Sequence, residues 1–160
     1  MSAATEGPAD RPATILVDGL ADHDLASLTS DVEAAVRAAL AGQELVSPHD
    51  AEVSVTFVDD DAIARLNEEW LGRGGPTDVI SFGLGGEPLV ADVYVSVETA
   101  RENASAYRVP LREELLRLVL HGVLHAAGHD HPEGGGRERS EMFRLQERLL
   151  ARLLGDGSET

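Results

Sequence analysis

The segment LREELLRLVLHGVLHAA, residues 111–127, constrains the fold more than any other part of this chain. Its apolar residues Leu115, Leu116, Leu118, Val119, Leu120, Val123 and Leu124 recur at helical spacing. They occupy nearly the whole circumference of the helix, so no broad face is left for solvent. Such a helix belongs at the centre of a domain, with other elements packed on several sides. It also carries His121 and His125. A buried imidazole without a partner costs about 1–3 kcal/mol per unsatisfied polar group, so this pair calls for something to bind.

The flanking segments supply the covering elements. TILVD (14–18), AEVSVTFVDD (51–60), TDVISFG (77–83) and LVADVYVSV (89–97) read as strands, the second with Val53, Val55 and Phe57 alternating on one face. Residues 27–42 have helical periodicity with Gly42 as a stop. Residues 60–70 form a helix opened by an aspartate cap, and LGRGGP (71–76) is the loop after it. Residues 97–108 are helical up to the Val109-Pro110 break, and 137–154 form a final amphipathic helix. The expected fold is therefore a single α+β domain over 13–154. It has a small mixed sheet of about four strands packed with about five helices, and a metal site at the end of the central helix. Residues 1–12 and 155–160 lack periodicity and read as disordered tails.

Composition narrows the chemistry. The chain has no cysteine, so a transition-metal site must use histidine and carboxylate. No apolar run reaches membrane-spanning length. The start, MSAATEGPADRP, lacks the basic and apolar blocks of a signal peptide, and a cytoplasmic location is expected. The net charge of −16 is unfavourable for grasping a phosphate backbone. Binding, however, follows the local field. All the basic residues are arginine, which suits bidentate phosphate contacts or reflects a compositional habit.

Four of the six histidines lie within HGVLHAAGHDH, residues 121–131. The i, i+4 spacing places His121 and His125 on one helix face, the arrangement in which two imidazoles share a zinc ion. Gly128 allows the helix to end in a left-handed turn, after which His131 can return as a third ligand. Three imidazoles and an open fourth position make a catalytic type of zinc site, although nickel or copper also suits imidazole. His129 is then a pocket-wall or surface residue. Asp130 either accepts a hydrogen bond from a ligand's second ring nitrogen or is simply a turn residue. The spacing of His121, His125, Gly128 and His131 matches the metzincin pattern H-E-x-x-H-x-x-G-x-x-H, except that Gly122 replaces the glutamate base. Zinc alone still lowers the pKa of a bound water toward about 7 and stabilises an oxyanion, which suits a phosphodiester.

With that glycine, the block resembles H-G-x-L-H-L-x-G-Y-D-H of the YbeY endoribonucleases, bacterial rRNA maturation factors. Pro76-Thr77-Asp78-Val79-Ile80-Ser81-Phe82-Gly83 is similar to the family's P-T-D-V-L-S-F-P, and Ala91-Asp92-Val93-Tyr94-Val95-Ser96 to its G-D-I-x-I-S. Leu66-Asn67, Met142-Phe143 and Leu145-Gln146 also match. The likeness covers roughly residues 50–152. It implies one α+β domain and one Zn2+ ion held by His121, His125 and His131. It also implies single-strand-specific cleavage of RNA in 3′-end maturation of small-subunit rRNA and in ribosome quality control. The implied partners are rRNA, the small ribosomal subunit and its assembly factors, with no membrane and no DNA.

The chain departs from the family where many members carry Tyr-Arg and it has Trp70-Leu71. Arg73 either substitutes for that arginine in phosphate handling, as a substrate-binding or catalytic group, or is a solvated loop residue. Arg137 and Arg139, after Gly134–Gly136, are further candidates for holding the RNA backbone or belong to an exposed helix start. Ala126, His129, Ala91 and Gly83 replace a leucine, a tyrosine, a glycine and a proline without touching the ligands. Two other readings are a metzincin-like metallopeptidase, and a non-catalytic assembly factor with structural zinc that docks on basic ribosomal proteins.

Overall fold

The computed structural model describes the backbone of residues 11–83, 87–129 and 135–158, and the side chains of all of these except 135–140 and 156–158. In chain order the elements are β1 (Thr14–Asp18), α1 (Thr29–Gly42), β2 (Glu52–Val58), α2 (Asp60–Leu71), β3 (Val79–Gly83), β4 (Val90–Ser96), α3 (Val97–Tyr107), α4 (Leu111–Ala126) and α5 (Gly135–Ser158). The strands form one sheet in the order β1-β2-β4-β3. β1 and β2 pair in parallel, as do β2 and β4, whereas β3 runs antiparallel to β4. The mixed sheet and single α+β domain are those expected.

Element boundaries shift by one to four residues from expectation, and two of the shifts have a local reason. Short 3-10 turns at Ala21–His23 and Ala26–Leu28 precede α1, so the α-helix opens at Thr29 rather than at 27. Tightening into 3-10 geometry is a common way for a helix to begin. At the other end α5 runs to Ser158, beyond the point where a tail was expected. Glycine at 155 lowers helix propensity by about 1 kcal/mol but does not forbid continuation.

Local chemistry explains the well-defined ends. The Asp59 carboxylate accepts a hydrogen bond from the Ala62 amide and caps α2, and Gly72 ends it with φ +67°. Ser96 caps α3 by accepting from the Thr99 amide.

The core lies on one face of the sheet. Val53, Val55 and Phe57 of β2, with Ala91, Val93 and Val95 of β4, are buried with Val32, Val36 and Leu40 of α1 and Leu116, Leu120 and Leu124 of α4. α4 contacts α1, α3, α5, β3 and β4, which is why its sequence is apolar almost all round.

Gly122 marks where α4 lies closest to the sheet. A Cβ at this position would stand 2.6 Å from Val93 Cγ1 and 3.2 Å from Val79 Cγ2. Both are stiff β-branched side chains, and Val93 is fully buried. Gly122→Ala is therefore expected to destabilise the fold by about 1–3 kcal/mol through overpacking. This should hold although alanine is intrinsically the better helix former by about 1 kcal/mol. Urea unfolding would show a lower midpoint at unchanged slope. A second close approach sits one turn further on, where a Cβ at Gly83 would come within 2.6 Å of the Ala126 carbonyl oxygen. The end of β3 thus abuts the last turn of α4, and this brings Ser81 to His125.

Candidate metal centre

The last two turns of α4 present His121, half-buried, and His125, exposed. Their rings are nearly parallel, 9° apart, with centroids separated by 6.2 Å. Each ring has a polar partner at Nδ1. His121 Nδ1 is 2.9 Å from Gln146 Oε1 of α5, and His125 Nδ1 is 3.1 Å from Ser81 Oγ of β3. An amide oxygen can only accept, so His121 carries its proton on Nδ1 and presents Nε2 as its lone-pair nitrogen. A hydroxyl accepts equally well from a His125 Nδ1–H. Metal-ligating histidines are characteristically held in this way, with one ring nitrogen donating to an outer partner and the other facing the ion. The donor set, two imidazoles one helical turn apart with Nδ1 of each held by an outer partner, fits zinc.

After Ala126 the chain turns as expected. Gly128 has φ +110°, its amide donates to the His125 carbonyl at 3.0 Å, and the His129 amide donates to that of Leu124 at 3.1 Å. His129 is half-buried and lines a cavity of about 510 Å³ with Gln43, Arg144 and Arg148. His131 and Asp130 lie outside the described residues, as do the side chains of Arg137 and Arg139. Among the described residues no group of three potential ligands converges, so the geometry covers two members of the expected triad.

Arg73 is exposed in the loop after α2, its amide bonded to the Asn67 carbonyl at 3.2 Å. Among the described residues no side-chain bond links it to either histidine. Where the family arginine would stand, Leu71 is exposed. Trp70 beside it packs edge-on to Phe82, which packs edge-on to Tyr94.

Behind His121 lies a network that the residue patterns did not announce. Gln146, buried, donates from Nε2 to Glu147 at 3.0 Å. Arg117 donates to Glu147 (2.9 Å), Glu114 (2.8 Å) and Glu113 (3.1 Å). Asn103 then donates to Asp78 at 3.2 Å and to Glu114 at 3.4 Å. The E-E-x-x-R spacing of Glu113, Glu114 and Arg117 is the only local signal of this network. The links to Glu147 and Gln146 depend on how α5 crosses α4.

Burial alone would lower the Arg117 pKa, but hydrogen bonds to Glu147, Glu114 and Glu113 and the charge of Glu147 outweigh it and raise it. Burial alone would raise the Glu147 pKa, but hydrogen bonds from Arg117 and Gln146 and the charge of Arg117 hold it below the usual carboxylate value. A depressed carboxylate stabilises the fold fully above its unfolded pKa of about 4.3. That contribution is lost as pH falls from there through the lower folded value. Thermal midpoints measured from pH 6 down to pH 3 should decline in that window, and Glu147→Gln should flatten the decline.

Comparisons with known proteins identify the family. The sequence profile of the family described as endoribonuclease YbeY matches residues 20–154. A protein of Persephonella marina named endoribonuclease YbeY is 36% identical over 115 residues, spanning 68% of this chain and 74% of that protein. One of Kineococcus radiotolerans with the same name is 43% identical over 125 residues, spanning 69% of this chain and 71% of that protein. The solution structure of TM1509 from Thermotoga maritima superposes with a TM-score of 0.64 at 30% identity, covering 91% of this chain and 93% of that one. With a profile match over most of its length, relatives at 36% and 43% identity and a shared fold, the chain belongs to the YbeY endoribonuclease family.

Proposed function

We propose that this protein is a zinc-dependent endoribonuclease that cuts single-stranded RNA in maturation of the 3′ end of small-subunit rRNA and in ribosome quality control. The observation that carries the reading is the fixed tautomer of His121, with His125 one turn away and likewise partnered at Nδ1. His121, His125 and His131 would hold one zinc ion. When bound, zinc supplies a Lewis acid for the charge that develops on a phosphodiester. The protein's own part is to fix the ligands: Gln146 orients His121, and the approach of β3 to α4 seats Ser81 against His125. The implied partners are rRNA, the small ribosomal subunit and its assembly factors, in the cytoplasm. Among the described residues no helix is long and apolar enough to cross a membrane.

The peptidase reading loses further ground. Gly122 lacks the general base, and its Cβ direction runs into Val93 and Val79 rather than toward open space.

The test is cleavage of a single-stranded fragment from the 3′ end of small-subunit rRNA. Activity should vanish with a chelator and return with zinc, while the melting temperature moves little. Undiminished cleavage in the metal-stripped protein refutes zinc dependence, and unfolding on chelation supports structural zinc instead. Gln146→Ala is expected to lower zinc affinity about 10–100-fold, the usual cost of removing an outer partner of a ligating histidine. Competition with a chromophoric chelator measures that loss directly.

A further inference from the structure

A cavity of about 470 Å³ opens beside His121, between the end of α3, α4 and α5. Tyr107 and Phe143 stand at its walls, and both are more exposed than such side chains usually are, at 65% and 59%. Exposed aromatic rings beside a cavity are a stacking platform for an unpaired base. The polar side of the cavity is one-sided in its chemistry. Asp78, Glu114 and Glu147 are carboxylates, which accept hydrogen bonds when ionised. Several of the donors nearby are already engaged within the protein. Arg117 is shared among three glutamates, the Asn103 amide nitrogen donates to Asp78 and Glu114, and that of Gln146 donates to Glu147. The Asn103 oxygen adds one more acceptor. Such a lining repels phosphate and favours a flat ring that brings its own N–H donors.

Resting on the endoribonuclease reading above, we infer that this cavity is a specificity subsite. It receives one unpaired nucleobase bearing an exocyclic amino group, stacked on Tyr107 and Phe143 and bonded through its amino group to the acceptors around Asp78 and Asn103. Adenine, cytosine and guanine carry such a group. Uracil, whose single N3–H lies between two carbonyl oxygens, does not. Because His121 forms part of the wall, the base enters next to the scissile position and selects the sequence that is cut.

The experiment is fluorescence anisotropy with the full-length protein and 2′-O-methyl, nuclease-resistant hexanucleotides. One carries adenine, a second carries purine lacking only the amino group, and a third carries uracil. The adenine oligomer is expected to bind about tenfold more tightly than the other two, the scale of one hydrogen bond to a charged group. Tyr107→Ala and Phe143→Ala should each weaken adenine binding about tenfold by loss of stacking, and Tyr107→Phe should restore it. Both positions are exposed, so the variants keep the fold, which a thermal melt verifies. Equal affinity for the three oligomers, or wild-type affinity in both alanine variants, overturns the subsite. Cleavage assayed in parallel separates the two readings. Base preference without metal-dependent cleavage leaves the subsite standing and removes the nuclease, and cleavage without base preference does the reverse.

Discussion

His121→Ala is expected to abolish RNA cleavage and to lower zinc affinity by more than about 100-fold, since removing even an outer partner of a ligand costs about 10–100-fold. The substitution deletes a ligand and also leaves Gln146 Oε1, in a buried side chain, without the imidazole it accepts from. The fold should survive. Alanine is the strongest helix former, and the face that buries α4 is made by Leu116, Leu120, Val123 and Leu124. Metal content after dialysis, cleavage rate and melting temperature together check the expectation. Loss of metal and activity at nearly unchanged melting temperature supports the assignment. Wild-type cleavage by the variant removes His121 from the site.

Arg117→Met should produce the largest loss of stability, about 3 kcal/mol, the low end of the cost of removing one partner from a buried ionic cluster, because only Glu114 is fully buried and the others are partly exposed. For a domain of this size that corresponds to a melting temperature lower by on the order of 10 °C. Arg117 sits at the centre of Glu113, Glu114 and Glu147, and Glu114 is 2% exposed. Without the guanidinium three carboxylates, Glu114 buried and Glu113 and Glu147 partly exposed, face one another unneutralised. The pH dependence then reverses. Wild type weakens as pH falls below about 4.3, because the depressed Glu147 takes up a proton. In the variant the carboxylates repel one another, so mild acid that protonates them should recover part of the lost stability. Melting curves at pH 7 and pH 5 distinguish the two cases. A variant as stable as wild type at pH 7 would mean that the cluster is solvated and contributes little.

Much of this structure was legible in the residues, and the reason lies in α4. A helix apolar around its circumference has to be central, and the alternation of Val53, Val55 and Phe57 assigns one face of β2 to the core. The i, i+4 histidines announced themselves because helical spacing alone brings them together. The outer shell did not, because Gln146 and Glu147 reach His121 and Arg117 across about 25–30 residues of sequence, through the crossing of α5 over α4. Gly122 shows the two levels acting at one residue. As a residue type it lacks a proton acceptor, which spoke against a peptidase. In the fold it is also the point where the helix rests on Val93 and Val79. Leu71 and Trp70, which replace the family's Tyr-Arg, are exposed apolar side chains, and Arg73 makes no side-chain bond toward the histidines among the described residues.

The most direct measurement is anomalous diffraction on either side of the zinc absorption edge, from crystals of the full-length protein grown with zinc. One peak is expected at about 2.0–2.1 Å from imidazole nitrogens of His121 and His125, with His131 completing the set and no fourth side chain on the ion. A peak elsewhere, no peak at all, or a fourth protein ligand closing the coordination sphere would contradict a hydrolytic zinc centre in this protein.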